Sequence, residues 1–175
     1  GELEDIYLYS ALKKLGEYFH LAEFTLDSVK SDPQKTLEDL KKFDLAIIAK
    51  PSVKFSEDQK YVLDQYIMNG GKTLFLIDNI YAEMDSLMAT GQSIAFNRDL
   101  ALTDLLFAYG VRINYNVAKD LYSGSVRLAT GNTGDQTQFQ DFPWNYFPLI
   151  FTQSNHPINT NLDPILLKFP STIDT

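Results

Sequence analysis

The stretch from Phe43 to Asp78 constrains the fold more than any other part of this chain. It reads as strand, loop, helix, strand: one complete βαβ unit. Asp44-Leu45-Ala46-Ile47-Ile48-Ala49 is a short apolar run, the pattern of a strand covered on both faces. Lys50-Pro51 ends it, because proline cannot continue a central ladder. Ser56 is placed to cap a helix, and Glu57 and Asp58 fall in its first turn, where carboxylates suit the positive dipole end. Val62, Leu63, Tyr66 and Ile67 share one helical face. Asn69-Gly70-Gly71 stops the helix, since glycine readily takes the left-handed cap conformation. Thr73 to Ile77 is the second apolar run, with Asp78 and Asn79 at its carboxyl end. Two parallel strands joined by a right-handed helical crossover follow from this order. The expected fold class is therefore α/β: three layers, a mainly parallel sheet flanked by helices. In such sheets ligands sit at the carboxyl ends of the strands, which makes Lys50, Pro51, Asp78 and Asn79 candidate contact residues.

The flanks extend this pattern. Residues 3–19 predict a helix, with Leu8, Ala11, Leu12, Leu15 and Phe19 at helical spacing, although Ile6 to Tyr9 also fits the start of a strand. Leu21 to Leu26 alternates like a strand, and Asp32-Pro33 opens a second helix with Leu37 and Leu40 facing in. Doubly wound folds usually start with a strand, so an opening strand is expected upstream of Gly1. Beyond Asp78 the reading is a short helix over Tyr81–Met88 and a loop over Ala89–Asn97. A helix over Leu100–Tyr109, stopped by Gly110, and a strand over Val111–Asn114 come next. Gly131 to Gln138 reads as a turn or loop, and Ile165 to Phe169 as a late strand. The whole is expected to be a single domain over residues 1–175, with a less regular, aromatic-rich part over 115–175.

Composition narrows the function. With 45% hydrophobic and 22% charged residues the chain can bury a core, and its net charge of −8 argues against a nucleic-acid surface. It has no cysteine, which removes disulfides, thiolate metal sites and cysteine nucleophiles. No apolar run approaches the length of a membrane span, and the first residues carry no signal-peptide pattern.

Catalytic motifs fail one by one. Gly70-Gly71-Lys72-Thr73 looks like the end of a phosphate-binding loop, but position 66 is Tyr where the motif needs Gly, and a helix runs into a strand instead of the reverse. Gly91-Gln92-Ser93-Ile94-Ala95 resembles a nucleophile elbow with no buried strand before it. Only His20 and His156 could serve as a base, and each reads more simply as a structural or solvent-facing residue. They are too far apart in sequence to suggest a histidine metal site. Asp78, Asp85, Asp99, Asp104 and Asp120 lie near element ends. Capping and turn formation explain them as well as acid–base work or a hard cation would. From Phe139 to Phe151 the chain carries Phe139, Phe142, Trp144, Tyr146, Phe147 and Phe151, broken by Pro143 and Pro148. Core packing is the plainer reading. The sharper one is a ledge on which Trp144 and Tyr146 stack on a sugar ring or meet a partner.

Several stretches together resemble a known family. They are Gly1-Glu2-Leu3, Ile47 to Pro51, Phe55-Ser56-Glu57, Asp64 to Met68 with Gly70-Gly71-Lys72, Leu76-Ile77-Asp78, Asp85-Ser86-Leu87 and Asp104 to Phe107. Tyr109 to Asn114, Pro143-Trp144, Pro148-Leu149, His156-Pro157-Ile158 and Asn161-Leu162-Asp163 complete the set. Asp64–Lys72 and Tyr109–Asn114 are the most specific. The chain resembles the GldG-type, gliding-motility-associated auxiliary components of ABC transporters from Bacteroidetes.

The resemblance implies a class I amidotransferase-like or flavodoxin-like α/β fold, with an apolar strand ahead of Gly1-Glu2-Leu3. It implies a membrane-anchored parent protein with this region on the periplasmic side of the inner membrane, and ATPase and permease subunits as partners. It carries over no catalytic residue, cofactor or metal. The leading expectation is a non-enzymatic accessory domain. The second is a small-ligand or carbohydrate-binding module built on Lys50, Pro51, Asp78, Asn79, Trp144, Tyr146 and His156. Last comes a hydrolase using Ser93 or Ser52 with His156 as base.

Overall fold

A computed structural model describes residues 5–26, 32–82, 94–134, 136–151, 156–157, 160 and 162–175. The chain gathers into two compact units, one of residues 1–78, 98–112 and 175, the other of residues 79–97 and 113–174.

The first unit opens with α1 (Asp5–Gly16) and α2 (Pro33–Leu40). Asp32 caps α2 by accepting the Lys35 N–H, and Pro33 occupies the first turn, where its missing N–H costs nothing. The βαβ unit follows as read: β1 (Leu45–Ala49), α3 (Glu57–Met68) and β2 (Lys72–Leu76). The two strands are parallel, in register from Leu45 beside Lys72 to Ala49 beside Leu76. Ser56 and Gln59 form a reciprocal capping box at the start of α3. Gly70, at φ 92°, ends the helix in the left-handed region. The last helix, α4 (Thr103–Ala108), stops at Gly110 with φ 78°. Leu37, Leu40, Val62, Leu63, Tyr66, Leu100, Leu102 and Leu105 form the buried core, and Ala46 and Ile48 of β1 pack against it.

Among the described residues only one face of this small sheet is covered. Leu45, Ile47, Leu74 and Leu76 are 40–47% exposed, so the apolar runs do not mark strands buried on both sides. Leu21 to Thr25 is exposed and forms no strand, because alternation alone does not supply a ladder partner.

Among the described residues the second unit holds short strand pairs and one long antiparallel hairpin. β3 (Ile80–Tyr81) lies against β4 (Phe96–Asn97), with the Tyr81 and Phe96 rings stacked at 4.7 Å. β5 (Arg112–Ile113) pairs with the last strand, β9 (Ile173–Asp174), and the Asn114 N–H continues the contact to the Thr172 carbonyl. Between them a long hairpin of β6 (Ser123–Thr133) and β7 (Gln136–Ile150) is joined at its base by β8 (Ile165–Leu166). Val126, Phe147 and Pro148 are buried along this hairpin.

These sheets overturn the expected three-layer, mainly parallel, amidotransferase-like or flavodoxin-like α/β fold. Among the described residues the parallel sheet has two strands, while β3–β4 and β6–β7–β8 run antiparallel. The physical reason is connection length. Each further parallel strand needs a crossover of a dozen or more residues, whereas after Asp78 the described chain supplies one six-residue helix and a tight hairpin.

The Gly131–Gln138 segment, read as a turn or loop, holds the turn at the outer end of that hairpin, with pairing that runs on to Thr133 beside Gln136. The aromatic run is a strand despite two prolines. Pro148 and Pro143 face Ser123 and Ser125, where the register shifts and a ladder donor is dispensable. The helix expected over Tyr81–Met88 begins instead with a strand residue at Tyr81, and its remainder from residue 83 lies outside the described residues.

Candidate functional site

In the first unit, β1 and β2 end together and bring Lys50 and Asp78 near each other. Lys50 sits at φ 44°, in the left-handed region, while its N–H donates to the Leu76 carbonyl at 2.8 Å. Its Nζ lies 3.9 Å from Asp78 Oδ2, with both groups partly in water. At that length and exposure the pair is a loose ionic contact. Pro51 is buried beside it, and its carbonyl accepts a 3.4 Å hydrogen bond from an Arg98 guanidinium nitrogen. Lys54 donates to Asp99 at 2.6 Å, and Asp99 also accepts the Ala101 N–H. The Lys54 hydrogen bond holds the Asp99 carboxyl below its usual value. Asp99 therefore shapes a turn, as the plainer reading of the acidic positions has it. Asp120 does the same by accepting the Tyr122 N–H.

Further along α3, two polar joints tie it to the α4 region. Lys60 is 7% exposed and donates to Asp104 at 2.6 Å, and it also lies 2.8 Å from Glu57. The hydrogen bond to Asp104 raises the lysine's pKa and lowers the aspartate's. Tyr109 donates to Asp64 at 2.7 Å. Burial, followed by that carboxylate, pushes the phenol up to about 12. This joint links the two stretches that carry the family resemblance most specifically, so those residues build a corner of the fold. A cavity of about 480 Å³ lies at the amino ends of the strands. Lys41, Asp44, Tyr66, Asn69, Gly71 and Lys72 are among its lining residues.

In the second unit, Trp144 and Tyr146 share one ledge. Their ring centroids are 5.9 Å apart, and Phe169 extends the series 6.5 Å beyond Tyr146. Lys119 Nζ stands 4.7 Å above the Tyr146 ring. Trp144 Nε1 and Ser123 Oγ are buried without a protein hydrogen-bond partner. A donor beside aromatic faces and a cation is chemistry that suits a polar ligand with an apolar ring face.

Asn79 is buried, and its side-chain amide donates to the Ile113 carbonyl at 3.0 Å, a structural task. His156 is exposed, and its carbonyl accepts from Thr160. Lys50, Pro51 and Asp78 thus belong to the first unit, and Asn79, Trp144, Tyr146 and His156 to the second. Ser93 lies outside the described residues, while Ser52 belongs to the first unit. Arg98, Lys54, Lys119 and Phe169 were not legible as site residues. Each reaches its neighbours across more than 20 positions, and no local pattern marks them.

Among the described residues no group of three or more His, Cys, Asp or Glu could hold a metal ion, and no helix is long and apolar enough to cross a membrane. What the two units do offer is contact chemistry: a mixed-charge strand edge and an aromatic ledge. The ABC transporter auxiliary family, described as an ABC-type uncharacterized transport system, matches residues 1–175, and the chain belongs to it. No curated protein and no solved structure matches the chain.

Proposed function

We propose that this chain is a non-enzymatic accessory domain of an ABC transporter complex, working outside the cytoplasm with separate ATPase and permease subunits. The observation that carries the reading is the family match along the full 175 residues. The resemblance of Asp64–Lys72 and Tyr109–Asn114 to GldG-type proteins supports a gliding-motility system and a periplasmic position. The test is purification of the full-length parent protein from its native membranes. The ATPase and permease subunits are expected to come with it, and deletion of this region is expected to abolish transport or gliding. A preparation that brings down neither subunit, or a deletion strain that moves and exports normally, overturns the reading. Turnover of a compound by the purified chain, abolished by one substitution, overturns its non-enzymatic part.

A second reading is a small-ligand or carbohydrate module. It is favoured by the unpartnered Trp144 Nε1 beside the Tyr146 ring. Glycan arrays and calorimetry on the intact chain test it: binding lost in Trp144→Ala supports it, and no binding to any glycan removes it. The two readings are compatible, since an accessory domain can carry a ligand site.

A further inference from the structure

The β6–β7 hairpin extends beyond the packed part of its unit. From Gln136 to Pro143 every residue is exposed, Phe139 to 54% and Phe142 to 36%. Along this stretch β7 has one strand neighbour among the described residues, β6; β8 reaches only Leu149 and Ile150. One side of β7 is therefore an open ladder of backbone donors and acceptors about 24 Å long over seven residues.

Open edges are normally blunted by lysine, proline, a bulge or a covering element. Gln136 to Phe142 contains no lysine and no proline. Of the hairpin's two irregularities, the outer one leaves its extra residue, Thr130, on β6, and the inner one, between Ser123 and Ser125, lies beyond Pro143, so β7 keeps unbroken pairing from Gln136 to Phe142. Over this stretch the β6 edge is bulged and the β7 edge is regular and open.

We propose that the β7 edge pairs antiparallel with the same edge of a second copy of this chain, around a two-fold axis at Phe139. The sequence Gln-Thr-Gln-Phe-Gln-Asp-Phe is self-complementary in that register. Phe139 meets the partner copy's Phe139, Gln138 meets Gln140, and Thr137 meets Asp141. Aromatic pairs, amide pairs and a hydroxyl facing a carboxylate are favourable cross-strand neighbours.

Charge also selects this surface. The chain carries −8, so two copies repel over most of their area. From Arg127 to Phe142 the charged residues are Arg127, Asp135 and Asp141, and Arg127 and Asp141 lie 3.9 Å apart on paired positions. The arm thus carries only a small share of the chain's excess negative charge. An edge this short belongs to the weak class of interfaces, so the dimer forms at high protein concentration and strengthens with salt as the general repulsion is screened.

Sedimentation velocity on the whole chain, over a wide concentration range and at two salt concentrations, tests this. A monomer–dimer equilibrium favoured by salt is expected. Phe139→Lys sets two ammonium groups on the axis and is expected to weaken association at least about tenfold. Phe139→Glu does the same with carboxylates. Mixing the two variants is expected to restore the dimer, because opposite charges then meet. Restoration on mixing cannot come from a general loss of folding. A chain that stays monomeric at submillimolar concentration, a dimer indifferent to Phe139→Lys, or a mixture no better than either variant alone overturns the proposal. Association only with a different polypeptide overturns it too, and assigns the edge to that partner.

Discussion

Gly71 lies against the ring of Tyr66 so closely that a Cβ at position 71 would stand 2.4 Å from Tyr66 Cζ and 2.5 Å from both Cε atoms. Tyr66 is 1% exposed and cannot swing aside. Gly71→Ala is therefore expected to destabilise the chain by about 1–3 kcal/mol through overpacking, read as a lower urea midpoint with unchanged slope. An unchanged midpoint would mean that the ring yields freely.

The Tyr66 hydroxyl explains why the ring is held. It donates to the Phe43 carbonyl at 2.8 Å. That carbonyl lies just ahead of the first parallel strand. Tyr66→Phe keeps the ring and takes this donor from the carbonyl, so a loss of about 1–2 kcal/mol is expected. A lower urea midpoint with unchanged slope checks it; an unchanged midpoint would show that water replaces the hydroxyl.

The Lys60–Asp104 joint predicts a stability window in pH. Its hydrogen bond lowers the Asp104 pKa from 3.8, so that contribution is present above pH 3.8 and lost as pH falls through the folded value. It raises the Lys60 pKa from 10.5, so that part is present below pH 10.5 and lost as pH rises through the raised value. Asp104 is 66% exposed and water screens the pair, so Asp104→Ala is expected to cost under about 1 kcal/mol at neutral pH. Denaturant melts across acidic pH check this: the variant should show a shallower acid loss than the unaltered chain.

Tyr109 predicts a separate alkaline step. Burial first, and its hydrogen bond to Asp64 second, raise the phenol from 10.0 to about 12. The neutral phenol is the form the fold favours, so its contribution is complete below pH 10.0 and disappears as pH climbs towards 12. Tyr109→Phe is expected to remove that step from a stability profile followed between neutral pH and pH 12. A profile identical to that of the unaltered chain would assign the alkaline loss elsewhere.

What could be read from the residues was local. Ser56 as a helix cap, Asp32 with Pro33, and the stops at Gly70 and Gly110 act within one helical turn, and all four appear in the structure where the pattern put them. The Leu45–Ala49 and Lys72–Leu76 strands and their parallel pairing were legible for the same reason, since one short crossover joins them. Sheet size and direction were not. An apolar run looks alike whether one face or both are covered, and Leu45 and Leu74 turn out to lie open. The run from Phe139 to Phe151 gave no sign that it would pair with a Gly- and Thr-rich segment, because pairing partners are chosen by register across the hairpin and not by composition. The candidate contacts divide in the same way. Lys50 and Asp78 come together because adjacent parallel strands end level, whereas Lys119 over Tyr146 depends on where separate segments of the second unit come to rest. Short-range capping and periodicity are properties of a few neighbouring residues; the extent of a sheet and the neighbours of a side chain belong to the packed molecule.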